Sequence, residues 1–314
     1  MLQTFLTVFG QMIIVLAFLA IGYLFNLKKW IPKEAEMVLS KLVTMLFLPC
    51  LTFNTFLSRC NLQSLIENSS LVLYGAISVA VFIAISYPIS KLLSGGDSYL
   101  AGVLRYCIAI PNTGGVAIPL TLSMYGSMGL FRLSLFTLPF NIATYSWGLT
   151  QLLPSEGKKT FWQSFRSILN PNFLAMLAGA VLGLTGVAAH LPQPVFDGLE
   201  RLGGCYTVIS LILAGYVIAD YQPKDIFGDR RVYWMTALRL VILPLLTLGV
   251  LKLLHVNESV MLFACLVVTC PCGMNTVVFP AAYRKDSRFG ASLVLISSAL
   301  AVVTVPLIFA LMRL

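Results

Sequence analysis

Two proline-containing stretches decide the fold of this chain: IPNTGG at residues 110–115 and CPCGMN at residues 270–275. Each stretch lies within an apolar segment that is long enough to cross a lipid bilayer. Because proline lacks a backbone N–H and clashes with the preceding turn, each segment is predicted to break near its middle. Broken helices expose N–H and C=O groups that cannot face lipid, so they occur where the chain lines a cavity or the protein interior.

The two breaks occupy equivalent positions in the two halves of the sequence. Pro111 and Pro271 are 160 residues apart, and Pro32 and Pro192 are separated by the same offset. Repeated halves with interrupted helices at matching positions are typical of secondary transporters, which bind their substrate near the middle of the membrane. The sequence therefore favours a transporter whose site lies where two broken helices cross.

The composition of the chain is that of a membrane protein. Of its 314 residues, 58% are hydrophobic and 11% are charged, and the mean hydropathy is +0.89. A soluble domain would carry about 25% charged residues. The formal charge of +9 does not indicate a nucleic-acid partner, because the basic residues lie in short loops between apolar segments, as the positive-inside bias of membrane proteins predicts. The lipid bilayer is the expected surrounding.

Ten apolar segments of roughly 18 to 25 residues predict an all-helical protein with ten membrane spans. We number them spans 1 to 10, at residues 4–25, 36–56, 69–93, 99–125, 129–153, 171–190, 195–219, 232–254, 259–283 and 289–312. Residues 1–153 then form a first five-helix repeat, residues 154–170 a cytoplasmic connecting loop, and residues 171–314 a second five-helix repeat. The helices of spans 4 and 9 contain the two breaks and are predicted to cross.

The loops on the two sides of the predicted bundle differ in charge. The loops after spans 1, 3, 5, 7 and 9 contain Lys28, Lys29, Lys33, Lys91, Lys158, Lys159, Arg166, Lys224, Arg230, Arg231, Arg284, Lys285 and Arg288. The opposite side contains only Arg59, Arg132, Lys252 and Arg313. Because cytoplasmic loops are enriched in Lys and Arg, we predict a protein of the cell inner (plasma) membrane with both termini outside the cytoplasm. An odd number of spans per half then makes the second repeat inverted relative to the first.

The half-helices that begin after the two prolines indicate an anion site. Their N-terminal N–H groups and positive dipole ends point into the predicted crossing, where a carboxylate would be favoured. A single proline kink more often serves helix packing, and it is the matching of two kinks that favours a site. The predicted substrate-binding residues are Asn112, Thr113, Gly114, Cys272, Gly273, Asn275, Asn141 and Tyr145, with Pro111 and Pro271 as the helix breaks. Asn141 and Tyr145 are included because they share one face of span 5, the helix that follows the first break.

Acidic residues are missing from the middle of every predicted span. Proton- and sodium-coupled carriers commonly use carboxylates there, so the sequence argues against an Asp-based cation antiporter. It leaves symport open, because carbonyl and hydroxyl oxygens also hold cations. Two arginines, Arg105 and Arg239, lie about 12 Å inside their spans. We expect them to snorkel toward the headgroups or to cap carbonyls of the broken helices, with attraction of anions as the alternative.

The cysteines at the second break raise the alternative of metal transport. Cys270 and Cys272 are similar to the cysteine pair that copper-pumping ATPases place in a membrane helix, and thiolates suit soft metals. The chain has no phosphate-binding loop, no room for a nucleotide domain, and only two histidines, both near span ends. We therefore expect no metal site and no cofactor. With no HExxH motif and no credible catalytic triad, we also expect no catalytic residue and no enzyme.

The order of motifs along the chain resembles the auxin efflux carrier family, in particular its bacterial members. The matching residues are Asn112-Thr113-Gly114 with Ile118-Pro119-Leu120, Asn170-Pro171 with Leu174-Ala175, Gly179 and Leu191-Pro192, and finally Pro271 through Tyr283 with Asp286, Ala291-Ser292 and residues 297–306. The resemblance covers the whole chain. It implies that the helices of spans 1, 2, 6 and 7 form a scaffold and that those of spans 3–5 and 8–10 form a moving transport domain. It also implies organic-anion transport, a substrate carboxylate near Asn112, and a homodimer formed through the scaffold.

Together these observations predict a secondary carrier for a small organic anion, such as a mono- or dicarboxylate, that works by an elevator-like movement. A sodium- or proton-coupled symporter of the bile-acid symporter type is the alternative within transport. A membrane ligand sensor is the alternative from another class. A sensor would bind its ligand without moving it, so ligand flux into liposomes separates the two classes.

Overall fold

A computed structural model describes residues 2–153, 169–220, 228–282 and 286–312. Within these residues the protein is all-helical, as predicted, and its single extended pairing is an isolated antiparallel bridge between Pro111 and Cys272. Most of the predicted connecting loop, with Lys158, Lys159 and Arg166, lies outside the described residues. So do residues 221–227 and 283–285, which hold further basic residues of the same predicted side.

The described residues form twelve helices, numbered here in chain order. They are α1 (Leu2–Leu27), α2 (Glu34–Arg59), α3 (Leu62–Ser94), α4 (Ser98–Ala109), α5 (113–125), α6 (127–152), α7 (Pro171–Leu184), α8 (Gln193–Ile218), α9 (Arg230–Leu253), α10 (Glu258–Val268), α11 (Asn275–Ala282) and α12 (Arg288–Met312). The boundary between α5 and α6 is Gly126, whose φ of 59° and ψ of −157° are not helical.

Seven helical segments in the described part of the chain are long and apolar enough to cross a membrane, judged by length and composition. They are Val8–Leu27, Glu34–Arg59, Leu62–Ser94, Thr113–Leu152, Gln193–Ile218, Arg230–Leu253 and Arg288–Met312. The fourth of these takes α5 and α6 together across Gly126. Two further apolar helices, α7 and α10, are shorter. Large apolar side chains are exposed along α1, α3 and α9, as contact with lipid requires.

Two helix ends differ from the prediction for identifiable reasons. α3 begins at Leu62 rather than at residue 69, because the Asn61 side chain accepts the N–H of Ser64 and caps a polar first turn that hydropathy alone misses. α7 ends at Leu184 rather than at residue 190, because Gly186 adopts a left-handed φ of 73° and a 3₁₀ turn follows.

The predicted breaks at Pro111 and Pro271 are confirmed. α4 ends at Ala109 and helix resumes at Thr113, while α10 ends at Val268 and α11 begins at Asn275. The two breaks also touch each other, since the backbone N–H of Asn112 donates to the carbonyl of Pro271 over 2.9 Å. The N–H groups that the helices cannot use are in this way partly satisfied by the opposite half of the chain.

Four five-residue π-helical turns widen the helices, at Val43–Phe47, Thr113–Ala117, Thr144–Gly148 and Leu238–Ile242. Three of them end two residues before a proline: Pro49, Pro119 and Pro244. Proline cannot donate to the carbonyl four residues back, and in each case the preceding residue bonds five residues back instead. These prolines therefore widen the helix without breaking it.

Carboxylates at the helix starts explain the acids that lie near span ends. Asp97, Asp229 and Asp286 each accept a backbone N–H in the first turn of α4, α9 or α12. Arg231, which hydrogen-bonds to the carboxylate, holds the pKa of Asp229 below its usual value, and Arg288 does the same for Asp286. These acids act at helix starts and do not line the cavity at the predicted crossing.

Glycines bring helix backbones together in one group of four helices, α1, α2, α7 and α8, which we call the scaffold group. A Cβ on Gly22 of α1 or Gly215 of α8 would collide with the backbone of the other helix. Gly179 and Gly183 of α7 and Gly203 of α8 also make close, though less tight, approaches to the backbone of α2. These helices consequently pack as one unit.

The remaining helices, α3 to α6 and α9 to α12, form what we call the crossing group. Close glycine approaches occur here too: Gly75 of α3 and Gly102 of α4 meet the backbone of α6, and Gly290 of α12 meets that of α11. Among the described glycines, no approach of this closeness joins a backbone of the scaffold group to one of the crossing group. Glycine approaches of this closeness therefore stay within each group, although α1 also packs along α12 between the groups.

Candidate substrate site

The start of α5 is built by Asn112. Its side-chain oxygen accepts the N–H of Gly115 over 3.2 Å, so Asn112 is the N-cap of the half-helix. Its own N–H is held by Pro271, as described above. The amide NH₂ group is the part of this side chain that remains to donate to a ligand. Asn112 thus places a hydrogen-bond donor beside a helix N-terminus at the crossing.

A cavity of about 240 Å³ lies beside the crossing. Seven of the eight predicted substrate-binding residues line it, together with Pro111: Asn112, Thr113, Gly114, Asn141, Tyr145, Gly273 and Asn275. Its wall combines the first turns of α5 and α11 with α6 from the crossing group and with α2, α7 and α8 from the scaffold group. The sequence-predicted residues are therefore brought together around one space.

Cys272 is the predicted site residue that does not line this cavity. It is fully buried, its backbone N–H donates to the hydroxyl of Ser297 over 3.1 Å, and its backbone pairs with that of Pro111. Pro271 is likewise absent from the wall. Both residues lie behind the cavity wall. The antiparallel bridge turns them away from the space that Gly273 and Asn275 line.

Two polar residues of the scaffold group complete the wall and were not found by sequence reasoning. The Thr52 hydroxyl of α2 donates to the amide oxygen of Asn172 of α7 over 2.7 Å. This bond leaves the NH₂ group of Asn172 to donate to a ligand. Asn172 stands next to the Asn170-Pro171 pair that carries the family resemblance, whereas nothing in the local sequence marks Thr52.

Two tyrosines tie the breaks to their surroundings. Tyr106 of α4 is fully buried, and its hydroxyl accepts the amide of Asn275 over 2.8 Å, which joins the first break to the start of α11. Tyr206 of α8 donates its hydroxyl to the carbonyl of Gly114 over 3.2 Å, which joins the scaffold group to the first break. Sequence reasoning missed both, although Tyr106 lies only five residues before Pro111.

The cavity wall contains no charged side chain among the described residues. Its polar groups are neutral amides, hydroxyls and backbone N–H groups, so an anion here would be held by dipoles rather than by an ion pair. A second cavity of about 100 Å³ shares Asn141, Tyr145 and Asn172 with the first and extends to Asn170, the cap of α7. The site is thus continuous with a space that leads toward the start of α7.

The two deep arginines lie outside this wall and bind protein groups. Arg239 donates to backbone carbonyls at both breaks, which confirms the expected capping of broken-helix carbonyls. Arg105 donates to the side-chain oxygen of Gln151 over 2.8 Å and lies 5.0 Å from the ring centre of Tyr87.

Comparison with known proteins agrees with this architecture. The profile of the family described as "Membrane transport protein", the auxin efflux carrier family, matches residues 7–309. The chain belongs to this family. A transporter of Methanothermobacter thermautotrophicus, described as an uncharacterized transporter, is 24% identical over 298 residues, which cover 93% of this chain and 94% of the relative. As a member of the auxin efflux carrier family, the protein is a multi-pass membrane transporter and not an enzyme.

Proposed function

We propose that this protein is a secondary carrier for a small organic anion, a carboxylate that binds at the crossing of the broken helices. The observation that carries the proposal is the cavity itself, where two half-helix N-termini meet amide and hydroxyl donors with no acidic side chain in the wall. Such a wall attracts a negative group and offers a cation no carboxylate ligand.

The proposed pose follows from the donors. The carboxylate lies against the first turns of α5 and α11, where Asn112 and Gly114 line the cavity. The opposite wall, with Asn172, Asn141 and Tyr145, then receives the rest of the substrate and suits a hydroxyl or a second carboxylate. A volume of about 240 Å³ lies below the usual range of drug-sized pockets, which favours a compact metabolite.

The proposed topology is ten spans in two inverted repeats. α4 with α5, and α10 with α11, each count as one broken span, and Gly126 separates the first of these from α6. This grouping turns the described helices into five spans before and five after the connecting loop. The contact between Pro111 and Cys272, at matching places of the two halves, supports it.

An elevator-like movement of the crossing group against the scaffold group is supported by the packing. Close glycine approaches stiffen each group, and among the described residues none of them joins the two groups, which meet where Tyr206 bonds to Gly114 and where α1 packs along α12. A bifunctional maleimide tests the movement. Linking Leu19→Cys of α1 to Ser298→Cys of α12, which line one small space between the groups, should stop transport. Linking Leu19→Cys to Ala214→Cys of α8, inside the scaffold group, should leave transport intact, and equal flux in both cases would contradict the elevator.

A homodimer through the scaffold is part of the proposal. α2 and α7 expose apolar side chains along their outer faces, including Met45, Leu174 and Val181. These faces belong to the group that would stay fixed while the crossing group moves. Mass measurement of the detergent-solubilised protein at a known detergent load tests the assembly, and a monomer at all concentrations would contradict it.

The function is tested by comparing each acid with its own amide. Purified protein is screened by thermal shift against mono- and dicarboxylates and against the corresponding carboxamides. The acids that stabilise it are then loaded into proteoliposomes for flux. We expect stabilisation by an acid and not by its amide, followed by flux of that acid. Binding without flux would favour a sensor, and flux that requires a sodium or proton gradient would favour a coupled symporter.

A further inference from the structure

Arg239 of α9 is a fully buried charge with an unusual set of partners. Its side chain is 0% exposed. The ion pairs among the described residues lie elsewhere, at helix ends, and none includes Arg239. A buried charge must be compensated by other polar groups to remain in the interior.

The compensation comes from three backbone carbonyls at the two helix breaks. The guanidinium donates to Ile108 over 2.9 Å, to Cys270 over 3.1 Å and to Val267 over 3.4 Å. Ile108 belongs to the last turn of α4 and Val267 to the last turn of α10, while Cys270 follows α10 immediately. One side chain therefore bonds to the C-terminal ends of both first half-helices.

The breaks themselves change the partners of these carbonyls. Val267 would pair with the N–H of residue 271, but Pro271 has none, and the carbonyl of Val267 accepts the N–H of Cys270 over 3.3 Å instead. Ile108 would pair with Asn112, whose N–H donates to Pro271 instead. The ends of two helices, each with a negative dipole, thus meet at one point of the membrane interior. Carbonyls in such positions are the groups that hold the coupling cation in carriers with broken helices.

We propose that Arg239 is a built-in cation of the crossing, which occupies the carbonyls that a coupling cation would otherwise use. Its charge offsets the negative ends of α4 and α10, while the first turns of α5 and α11 face the cavity. Only one half of the chain supplies this charge: at the 160-residue offset of the two breaks, Val79 of α3 corresponds to Arg239.

The consequence for transport, which rests on the proposed anion carriage, is that substrate binding needs no sodium. The cation site can be tested without any substrate. The probes are guanidinium and sodium, and the readout is the Tm of the purified full-length protein in choline chloride buffer. Wild-type protein should show the same Tm when sodium replaces choline.

Arg239→Ala should lower the Tm by roughly 10 °C, because three carbonyls lose a charged donor in the interior and only Val267 is shown to keep another, the N–H of Cys270. About 10 mM guanidinium, far below the molar range that unfolds proteins, should restore at least half of this loss in a saturable manner. The matched control is Arg105→Ala, which removes the other deep arginine. Because Arg105 bonds to the Gln151 side chain and to a carbonyl within an intact helix, guanidinium should restore nothing there.

Two results would overturn the proposal. Saturable stabilisation of the wild-type protein by sodium would show a separate cation at work, and failure of guanidinium to stabilise Arg239→Ala would show that the carbonyls form no cation site. If Arg239→Ala does not fold, Arg239→Lys and Arg239→Met replace it. The lysine variant, which keeps the charge, must then have the higher Tm, and equal values would contradict the proposal. Since no organic anion is present, these outcomes are independent of whether any carboxylate is transported.

Discussion

The oxygen and the NH₂ group of the Asn112 side chain have separate roles at the helix crossing. The oxygen caps α5 by accepting the N–H of Gly115, and the NH₂ group remains at the cavity wall. In the proposed function, one side chain therefore provides both the cap and the ligand contact, and an amide suits this position better than a carboxylate. An aspartate would cap the helix equally well but would repel an anion.

Replacing Asn112 by Asp should therefore separate the two roles. We expect an Asn112→Asp variant to keep its Tm while its affinity for the carboxylate falls at least tenfold, the result of losing a donor worth about 1.5–3 kcal/mol to a charged group. Asn112→Ala should lose similar affinity and some stability. Isothermal titration and thermal unfolding of the same preparations give both numbers.

The matched control is Asn257, which caps α10 in the same way by accepting the N–H of Ser259 over 2.8 Å. It does not line the cavity. Asn257→Asp makes the same chemical change at a helix N-terminus outside the proposed site, so affinity should stay unchanged. Unaltered affinity in Asn112→Asp would remove Asn112 from the proposed site.

At the scale of helices, some prolines break the helix and others only widen it into a π-helical turn, depending on their position. The breaks at Pro111 and Pro271 could be predicted because both fall inside apolar segments with glycine close behind. The π-helical turns before Pro49 and Pro244 could not, because their helices continue and hydropathy does not change there. Nor could the early end of α7, which depends on the backbone angle of Gly186.

Helix packing in the scaffold group depends on Gly215 of α8. A side chain there would collide with the carbonyl of Leu19 on α1. We expect Gly215→Ala to lower the Tm by about 2–12 °C, since an overpacked contact costs roughly 1–3 kcal/mol. Gly204→Ala on the same helix is the control. With no atom within 4 Å of its Cβ, this change should be neutral or slightly stabilising through helix propensity. Equal Tm values for both variants would argue against close packing of α1 on α8.

For the whole molecule, orientation remains a prediction from the basic loops. It can be tested with single cysteines in a background where the exposed Cys205 is replaced by Ser. An impermeant maleimide added to intact cells should label Gln63→Cys at the start of α3, and should label Lys33→Cys before α2 only after permeabilisation. Both positions are exposed. The reverse pattern would place the termini in the cytoplasm.

The site could be predicted from sequence on one side only. On that side, the two proline breaks mark the residues from Pro111 to Gly114 and from Gly273 to Asn275 as site candidates. Thr52, Asn172 and Tyr206 reach the cavity because the scaffold group packs across it, and long-range packing of this kind has no local signature. The sequence also allowed carbonyl capping by Arg239 to be expected, but not that its three partners come from both breaks.

The most direct measurement of the central claim, that an organic anion itself carries charge through this protein, is flux under a set membrane potential. Proteoliposomes loaded with the stabilising carboxylate are clamped with a potassium gradient and valinomycin in sodium-free buffer. A potential of 100 mV acts on one moving charge with about 2.3 kcal/mol, so inside-negative potential should drive the anion outward by about 50-fold at equilibrium. Flux that ignores the potential and requires a sodium or proton gradient would contradict the claim and favour electroneutral symport.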